Sequence, residues 1–559
     1  MNYSKMSKKT TLLLLFILLF IILFFQLNLS LFGKPFHCHP DEGALLKRPL
    51  KLLLLYKNGD FSKSISVYVW IQNIWYGISF LIGRIFNLWP DFQTFKNSIL
   101  LEKWEILFLF RILSIILTML GHLLLIKLLK KLTKNDLYFL LMSSVILFNP
   151  ITLLSTFWVK YEAMSYLTFS LISYYSFKYF ILNDPSKTKL YFILFLSFAV
   201  RIELSIFVFF ILYFDYKIYH KNIMDYFNKN LKIISKGCVL FLIITLYPLV
   251  LYSKLFGVQD NNIGKFSNYG EAIYNKIIVF QDISIYSNAL LYYSSLTVVI
   301  FFPLLIVIIK NFKNLKKYNF LIYPSVLFFM IIILFGKNIG TPYFLLISVV
   351  ITILYMNLLL LNSKKIIIIM STISFIYFLT LNFELIYYVN YKTDSRILSK
   401  NYITSNVKSG SKILLEDYGN NGSSPSLNEC TAYSAERYKA IIEIGGGTGA
   451  VAKLKSEMAE PNPCYQIVDL FSKDYLKGTS IEKKYIILKS DFEKKVDSLE
   501  VFDAIILNDP KKKKLLKTKL NKKWKLKSFL KSFPLDPRLR LLIKYSHFNP
   551  KEFHVFTKK

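Results

Sequence analysis

"TLLLLFILLFIILFF", residues 11–25, sets the class of the whole chain. Extended to residue 32, the run is long enough to cross the hydrocarbon core of a bilayer, which takes about 20 apolar residues. The apolar segment of a secretory signal is shorter and ends at a small-residue cleavage site. No clear site follows here, so the run reads as a retained anchor. Similar runs recur through two thirds of the 559 residues, and 54% of the chain is hydrophobic. The mean hydropathy of +0.41 excludes an ordinary soluble protein of this length.

Working outward from that anchor, the apolar runs predict about eleven membrane helices: 11–32, 106–128, 137–154, 163–182, a short hairpin over 188–215, then 237–255, 290–310, 318–336, 340–361 and 365–387. The stretch 66–89, "SVYVWIQNIWYGISFLIGRIFNLW", holds Trp70, Trp75 and Trp89 with Gln72 and Asn73, and reads as a helix lying at the membrane interface. With 66–89 left out of the spans, the lysine-bearing loops 127–136, "NDPSKTK", "YKIYHKN…NKNLKIISK", "KNFKNLKKYN" and "NSKK" all fall on one side. Lys and Arg favour the cytoplasmic side. The same rule places 33–104, 155–162, the hairpin tip near Arg201, 256–289, a short loop near 337 and everything after about 388 outside.

The formal charge is +35, from 70 Lys and Arg against 35 Asp and Glu. In a soluble domain this would point to nucleic acid. Here the cations sit in short loops beside spans, where they set topology or face anionic headgroups. "KKKKLLKTKLNKKWKLK" (511–527) stands apart, as a solvated basic face or a contact to an anionic membrane surface. The four cysteines show no CxxC spacing, which argues against structural zinc. Cys430 and Cys464 share one predicted soluble region, where a single bridge is open.

The outward segments carry the chemistry. "HCHPDEG" (37–43) sets His39, Asp41 and Glu42 beside the first span. Pro40 and the acids also suit a plain helix start. "NPITLLSTFWVKYEAMSYL" (149–167) brings Lys160 and Glu162 to the mouth of a later span, and "FAVRIELSIF" (198–207) sets Arg201 and Glu203 within an apolar run. Arg111 and His122 lie inside a third span. Ionisable groups in a membrane are costly and point to function or to ion pairs between helices; His122 reads as a packing residue. A transfer reaction at a bilayer surface needs a carboxylate to take a proton from an acceptor hydroxyl, and cations to hold a lipid-phosphate leaving group. Asp41, Glu162, Arg201 and Lys160 supply both.

These pieces, with "FRILSIILTMLGHLLLIKLLKKL" (110–132) and "YKTDSRILSKNYITSNVKSGSKILLEDYG" (391–419), make the chain resemble the polytopic lipid-linked-sugar glycosyltransferases of the GT-C fold. Within that group it is most similar to protein O-mannosyltransferases, the aminoarabinose transferases of lipid A, and the mannosyltransferases of glycolipid anchors. The resemblance extends from residue 11 to about 418. It implies a membrane all-α polytopic bundle of GT-C type over 1–390, with about 11 transmembrane helices, the outer loop 33–104 and an extracytoplasmic α/β domain over 391–559. It implies transfer of a sugar from a polyprenyl-phosphate donor to a glycan, lipid or protein acceptor, in a bacterial inner membrane, with no nucleic acid involved. By position, Asp41 would be the catalytic carboxylate, with Glu42 and Glu162 the further acids. Arg201, Lys160, Arg111 and Lys337 would hold the lipid phosphate, and His39 would support the site. Lys337, in "GKNIGTPYFLL", stands where many relatives carry Arg. Metal dependence varies among relatives, so no cofactor is implied with certainty, and a divalent metal stays open.

The tail offers a competing motif. "KILLED" (412–417), "YQIVDL" (465–470), "YIILKS" (485–490) and "FDAIILN" (502–508) read as strands of a small α/β domain. "AIIEIGGGTGA" (440–450) resembles the strand and glycine turn of S-adenosylmethionine-dependent methyltransferases, with Asp469 at the spacing of a ribose-binding acid. The Lys-rich sequence after Pro510 shows few strand signals, so the expected sheet is incomplete. The readings that compete with glycosyl transfer are a transporter or flippase of lipid-linked glycans, and a membrane-anchored protein with a methyltransferase-like tail.

Overall fold

The computed structural model describes residues 7–31, 67–245, 316–335, 364–416, 427–443, 461–471, 486–488, 496–508, 510–519, 524–529 and 553–558, apart from 102, 158, 160, 201–203 and 392–394, together with isolated positions such as 42, 46, 348–350 and 492. These residues are mostly helical, with one small sheet near the C-terminal end.

The first helix, α1 (Lys8–Ser30), starts where Ser7 accepts a hydrogen bond from the Thr10 amide at 3.0 Å. After α2 (Val67–Ile85) and α3 (Phe92–Leu100) comes α4 (Trp104–Leu132), whose buried face runs from Ile106 to Leu129. The next expected span, 137–154, is broken. α5 (Asp136–Leu147) and α6 (Pro150–Thr156) meet at a 44° bend. Pro150 lacks an amide hydrogen and obstructs the preceding turn. Asn149 caps the new helix by accepting from the Ile151 amide at 3.0 Å, and the Phe148 carbonyl at the break accepts from Asn382 Nδ2 at 2.7 Å.

α7 (Glu162–Phe180) runs parallel to α4, and the two pack closely at Gly121. A Cβ there would lie 2.6 Å from a Tyr166 ring carbon, so only glycine permits this approach. Nearby His122 is a packing residue, as its sequence context suggests: it is buried and hydrogen-bonds the Tyr166 hydroxyl through Nδ1 at 2.7 Å. α8 (Lys187–Phe198) and α9 (Ser205–Tyr219) form the expected hairpin. α10 (Ile223–Thr245) begins well before the expected span at 237, so much of the predicted basic loop is the first turns of a helix. α11 (Asn319–Phe335) and α12 (Lys364–Tyr391) complete the described bundle.

Among the described residues three helices, within α1, α4 and α12, are long and apolar enough to cross a membrane, or four if the bent pair α5–α6 is one span. That is fewer than the eleven expected. α8 and α9 are each too short to cross alone, and α11, at 17 residues, falls just below bilayer length. The predicted spans 290–310 and most of 340–361 lie outside the described residues.

α2 buries Tyr68, Gln72, Tyr76 and Ser79 on one face and exposes Trp70, Ile74, Ile78, Leu81 and Ile85 on the other. An apolar stripe turned away from the protein fits the interfacial reading. Trp89 departs from it. Instead of sitting at the interface, it is buried against Phe95 and donates to Ser98 at 2.9 Å. The turn that brings it there is a helix stop with Asn87 at φ 54°, where the Leu88 amide reaches the Gly83 carbonyl and the Asn87 amide reaches Arg84.

In the tail, α13 (Ser395–Asn406) leads into β1 (Lys412–Glu416), then α14 (Thr431–Glu443), β2 (Gln466–Phe471), β3 (Ile486–Leu488), β4 (Ala504–Leu507), α15 (Pro510–Lys519), β5 (Trp524–Phe529) and β6 (Phe553–Lys558). The sheet order is β3-β2-β1-β4-β6-β5, parallel from β3 to β4, with β6 antiparallel to both neighbours. The first four strands overlie the predicted ones, with β2 running one residue further, to Phe471. Two findings correct the sequence reading. Residues 440–443, read as the start of a strand, end α14 instead, because "SAERYKAIIE" is built of helix formers, and the glycine run itself lies outside the described residues. The sheet also continues past Pro510, because "WKLKSF" alternates and lays Lys525 and Lys527 on its exposed side. In α15, Lys511, Lys514 and Lys517 are likewise exposed.

Cys430 and Cys464 form a disulfide that ties the start of α14 to the entry of β2. The bridge closes 34 residues of sequence separation. By the chain-entropy account Cys430→Ser should lower the stability of this region by about 2–4 kcal/mol. Calorimetry of the full chain with and without reductant should show one shifted transition in the wild type and none in the variant.

Candidate functional site

Glu42 and Arg111 form the centre of the site. Arg111, two turns into α4, donates through Nε to Glu42 Oε1 at 3.0 Å and through Nη2 to Oε2 at 2.8 Å. Its Nη1 donates to the Ser30 carbonyl at the end of α1 at 2.6 Å, where the helix dipole welcomes a cation. Glu42 Oε1 also accepts from the Val159 amide at 3.1 Å. Both side chains are essentially inaccessible to solvent. One ion pair therefore binds the first loop, the end of α1, the second long helix and the segment 157–161 at the mouth of α7. The Trp104 ring covers the guanidinium at 5.0 Å.

Glu162 opens α7 and is buried. An acid in a first helical turn is favoured by the dipole. Its carboxylate and that of Glu42 both act on Tyr68, whose hydroxyl faces Ser114 and Gln72. Burial, and then these two carboxylates, push the Tyr68 phenol well above its ordinary range, so it stays a neutral hydroxyl at any physiological pH. The start of α2 is pinned by a bond from the Val67 amide to the Ala199 carbonyl at 3.0 Å, which brings the mouth of the α8–α9 hairpin alongside. Below the site, Tyr76, Phe95, Ile99, Phe110 and Val159 pack into an apolar floor, and the Tyr76 hydroxyl donates to the Leu46 carbonyl.

Of the residues expected to act, the structure joins Glu42 to Arg111 and sets Glu162 close by. Arg111, expected at a lipid phosphate, directs its donors to Glu42 and Ser30 instead. Glu42, expected as an acid of the reaction, serves as the anchor of its loop. His39, Asp41, Lys160, Arg201 and Lys337 lie outside the described residues. Tyr68, Gln72 and Ser114 were not singled out in advance for a site. The signal was present in the polar Gln72 one turn after Tyr68 on an otherwise apolar helix. Among the described residues no cluster of His, Cys, Asp and Glu has the make-up of a metal site.

The chain matches no known protein-family model and shows no significant match to a curated protein.

Proposed function

We propose that the chain is an integral-membrane glycosyltransferase that moves a monosaccharide from a polyprenyl-phosphate donor to an extracytoplasmic acceptor. The observation that carries this reading is the Glu42–Arg111–Val159 tie. It draws together two segments that the sequence assigns separately to one outer face, 33–104 and 155–162, and these bring groups of the transfer machinery: Asp41, next to Glu42 in sequence, and Lys160 and Glu162, just after Val159. In the reaction, the Asp41 carboxylate takes the proton of the acceptor hydroxyl. The freed oxygen bonds to the anomeric carbon as the carbon–oxygen bond to phosphate breaks, and that electron pair leaves on the lipid phosphate. Lys160 and Arg201 hold the charge that builds there. Attack opposite the leaving group inverts the anomeric centre.

Two features support the placement. The apolar stripe of α2 suits a helix resting on the bilayer beside the site. The Cys430–Cys464 bridge suits a tail in an oxidising, extracytoplasmic compartment. The test is transfer from a panel of radiolabelled polyprenyl-phosphate sugars by the full chain in lipid, with a membrane extract as acceptor. Label moving to the extract supports the reading and names the donor. No transfer from any donor, with lipid-linked glycan crossing reconstituted vesicles instead, would replace it with a flippase.

A further inference from the structure

The opposite end of the bundle carries the junctions α4–α5, α7–α8 and α9–α10. Its acids are not evenly shared. Asp215 is buried and heavily used: it accepts from the Tyr179 and Tyr191 hydroxyls at 2.6 and 2.5 Å and pairs with Lys187 at 2.9 Å. Asp136 pairs with Lys130 and Asp225 with Lys229.

A second group of lysines is left with much less. Lys127 and Lys131, one turn apart on α4, and Lys178 on α7 all bring their ammonium groups to within 6 Å of the buried Tyr174 ring, at 5.8, 5.9 and 5.8 Å. Lys178 meets Asp184 at 2.9 Å. Among the described residues neither Lys127 nor Lys131 pairs with a carboxylate, and both are exposed. Three cations around one ring, with one carboxylate between them, repel one another. The ring's negative face offsets only part of this. Such a cluster is complementary to a compact anion carrying one or two charges.

The position specifies the anion's source. Tyr175 and Tyr179, one turn apart on α7, and Tyr219 at the end of α9 lie at this end of the bundle, with the Tyr175 ring 5.9 Å from the Lys178 ammonium and the Tyr179 and Tyr219 rings 5.2 Å apart. A belt of tyrosines marks the headgroup depth of a bilayer, where basic pockets between helices take lipid phosphates. We propose that Lys127, Lys131 and Lys178 form a site between α4 and α7 for the phosphate of an anionic phospholipid. This site is independent of the sugar-transfer reading and lies at the other end of the bundle.

The test is native mass spectrometry of the full chain released from detergent, titrated separately with phosphatidylglycerol, phosphatidylcholine and inorganic phosphate. The wild type should retain phosphatidylglycerol in preference to phosphatidylcholine. A lysine beside an anionic surface contributes about fivefold, so Lys127→Gln/Lys131→Gln/Lys178→Gln should weaken retention by roughly 100-fold. Lys189→Gln/Lys221→Gln, which removes two other lysines of the same end, should leave it unchanged. Should the triple variant not survive purification, the exposed Lys131→Gln alone should weaken retention about fivefold. Equal retention by wild type and lysine variants overturns the site. Lysine-dependent binding of inorganic phosphate that phosphatidylglycerol does not displace overturns the lipid as its occupant.

Discussion

Asp41→Asn should reduce sugar transfer by roughly 100- to 10,000-fold, the span over which a positioned general base contributes. Asparagine keeps the size of the side chain and its hydrogen-bonding reach but cannot accept the proton of the acceptor hydroxyl. The variant should still express and fold, so the loss is one of activity. Initial transfer rates at saturating donor, measured beside the melting temperature, separate the two effects. Glu162→Gln is the necessary companion. Glu162 is buried at the head of α7, where its charge acts on Tyr68, so its loss should alter the site's electrostatics and reduce transfer less than loss of Asp41. Full activity in Asp41→Asn, with transfer abolished in Glu162→Gln, would move the base to Glu162.

Arg111→Leu should destabilise the protein by about 3–5 kcal/mol, because it leaves Glu42 as a buried carboxylate without its cation. The loss falls on the anchor between the first loop and α4, so transfer should fall as well. The double replacement Glu42→Leu/Arg111→Leu separates charge from shape. With both charges gone, much of the lost stability should return, as is common when a buried pair is replaced by apolar groups. Transfer should not return, because the loop carrying Asp41 would have lost its bond to the Val159 amide and to Arg111. Chemical denaturation of all four proteins in one detergent closes the cycle. A double variant as active as wild type would show that the ion pair does not position the site.

Much of the bundle was legible because long apolar runs have few alternative folds. α1, α4 and α12 lie close to their expected limits. The departures have local causes. Pro150 broke one expected span, since one proline outweighs the surrounding hydrophobicity. α10 started early because its first half is basic and amphipathic, which resembles a loop by charge and a helix by period. In the tail, the first four strands were readable from short apolar runs, whereas β5 was hidden by lysines that alternate with Trp524 and Leu526. The site was partly legible. Its charged residues stood out against a greasy background, but the pairing of Glu42 with Arg111, 69 residues apart, is a matter of tertiary structure. Tyr68 and Ser114 carry no signal of their own until α2 and α4 pack together.

The bend between α5 and α6 has a consequence for how the protein is made. The Phe148 carbonyl exposed by the break accepts from Asn382, which lies 234 residues further along the chain, and Asn149 at the same break reaches Thr352, 203 residues on. At roughly 5–20 residues per second, the ribosome delivers Asn382 some 10 to 50 s after the break has left the exit tunnel. Through that interval the Phe148 carbonyl and the Asn149 side chain lack these two partners. The early half of the bundle therefore reaches its final packing only when the last helix arrives to close it.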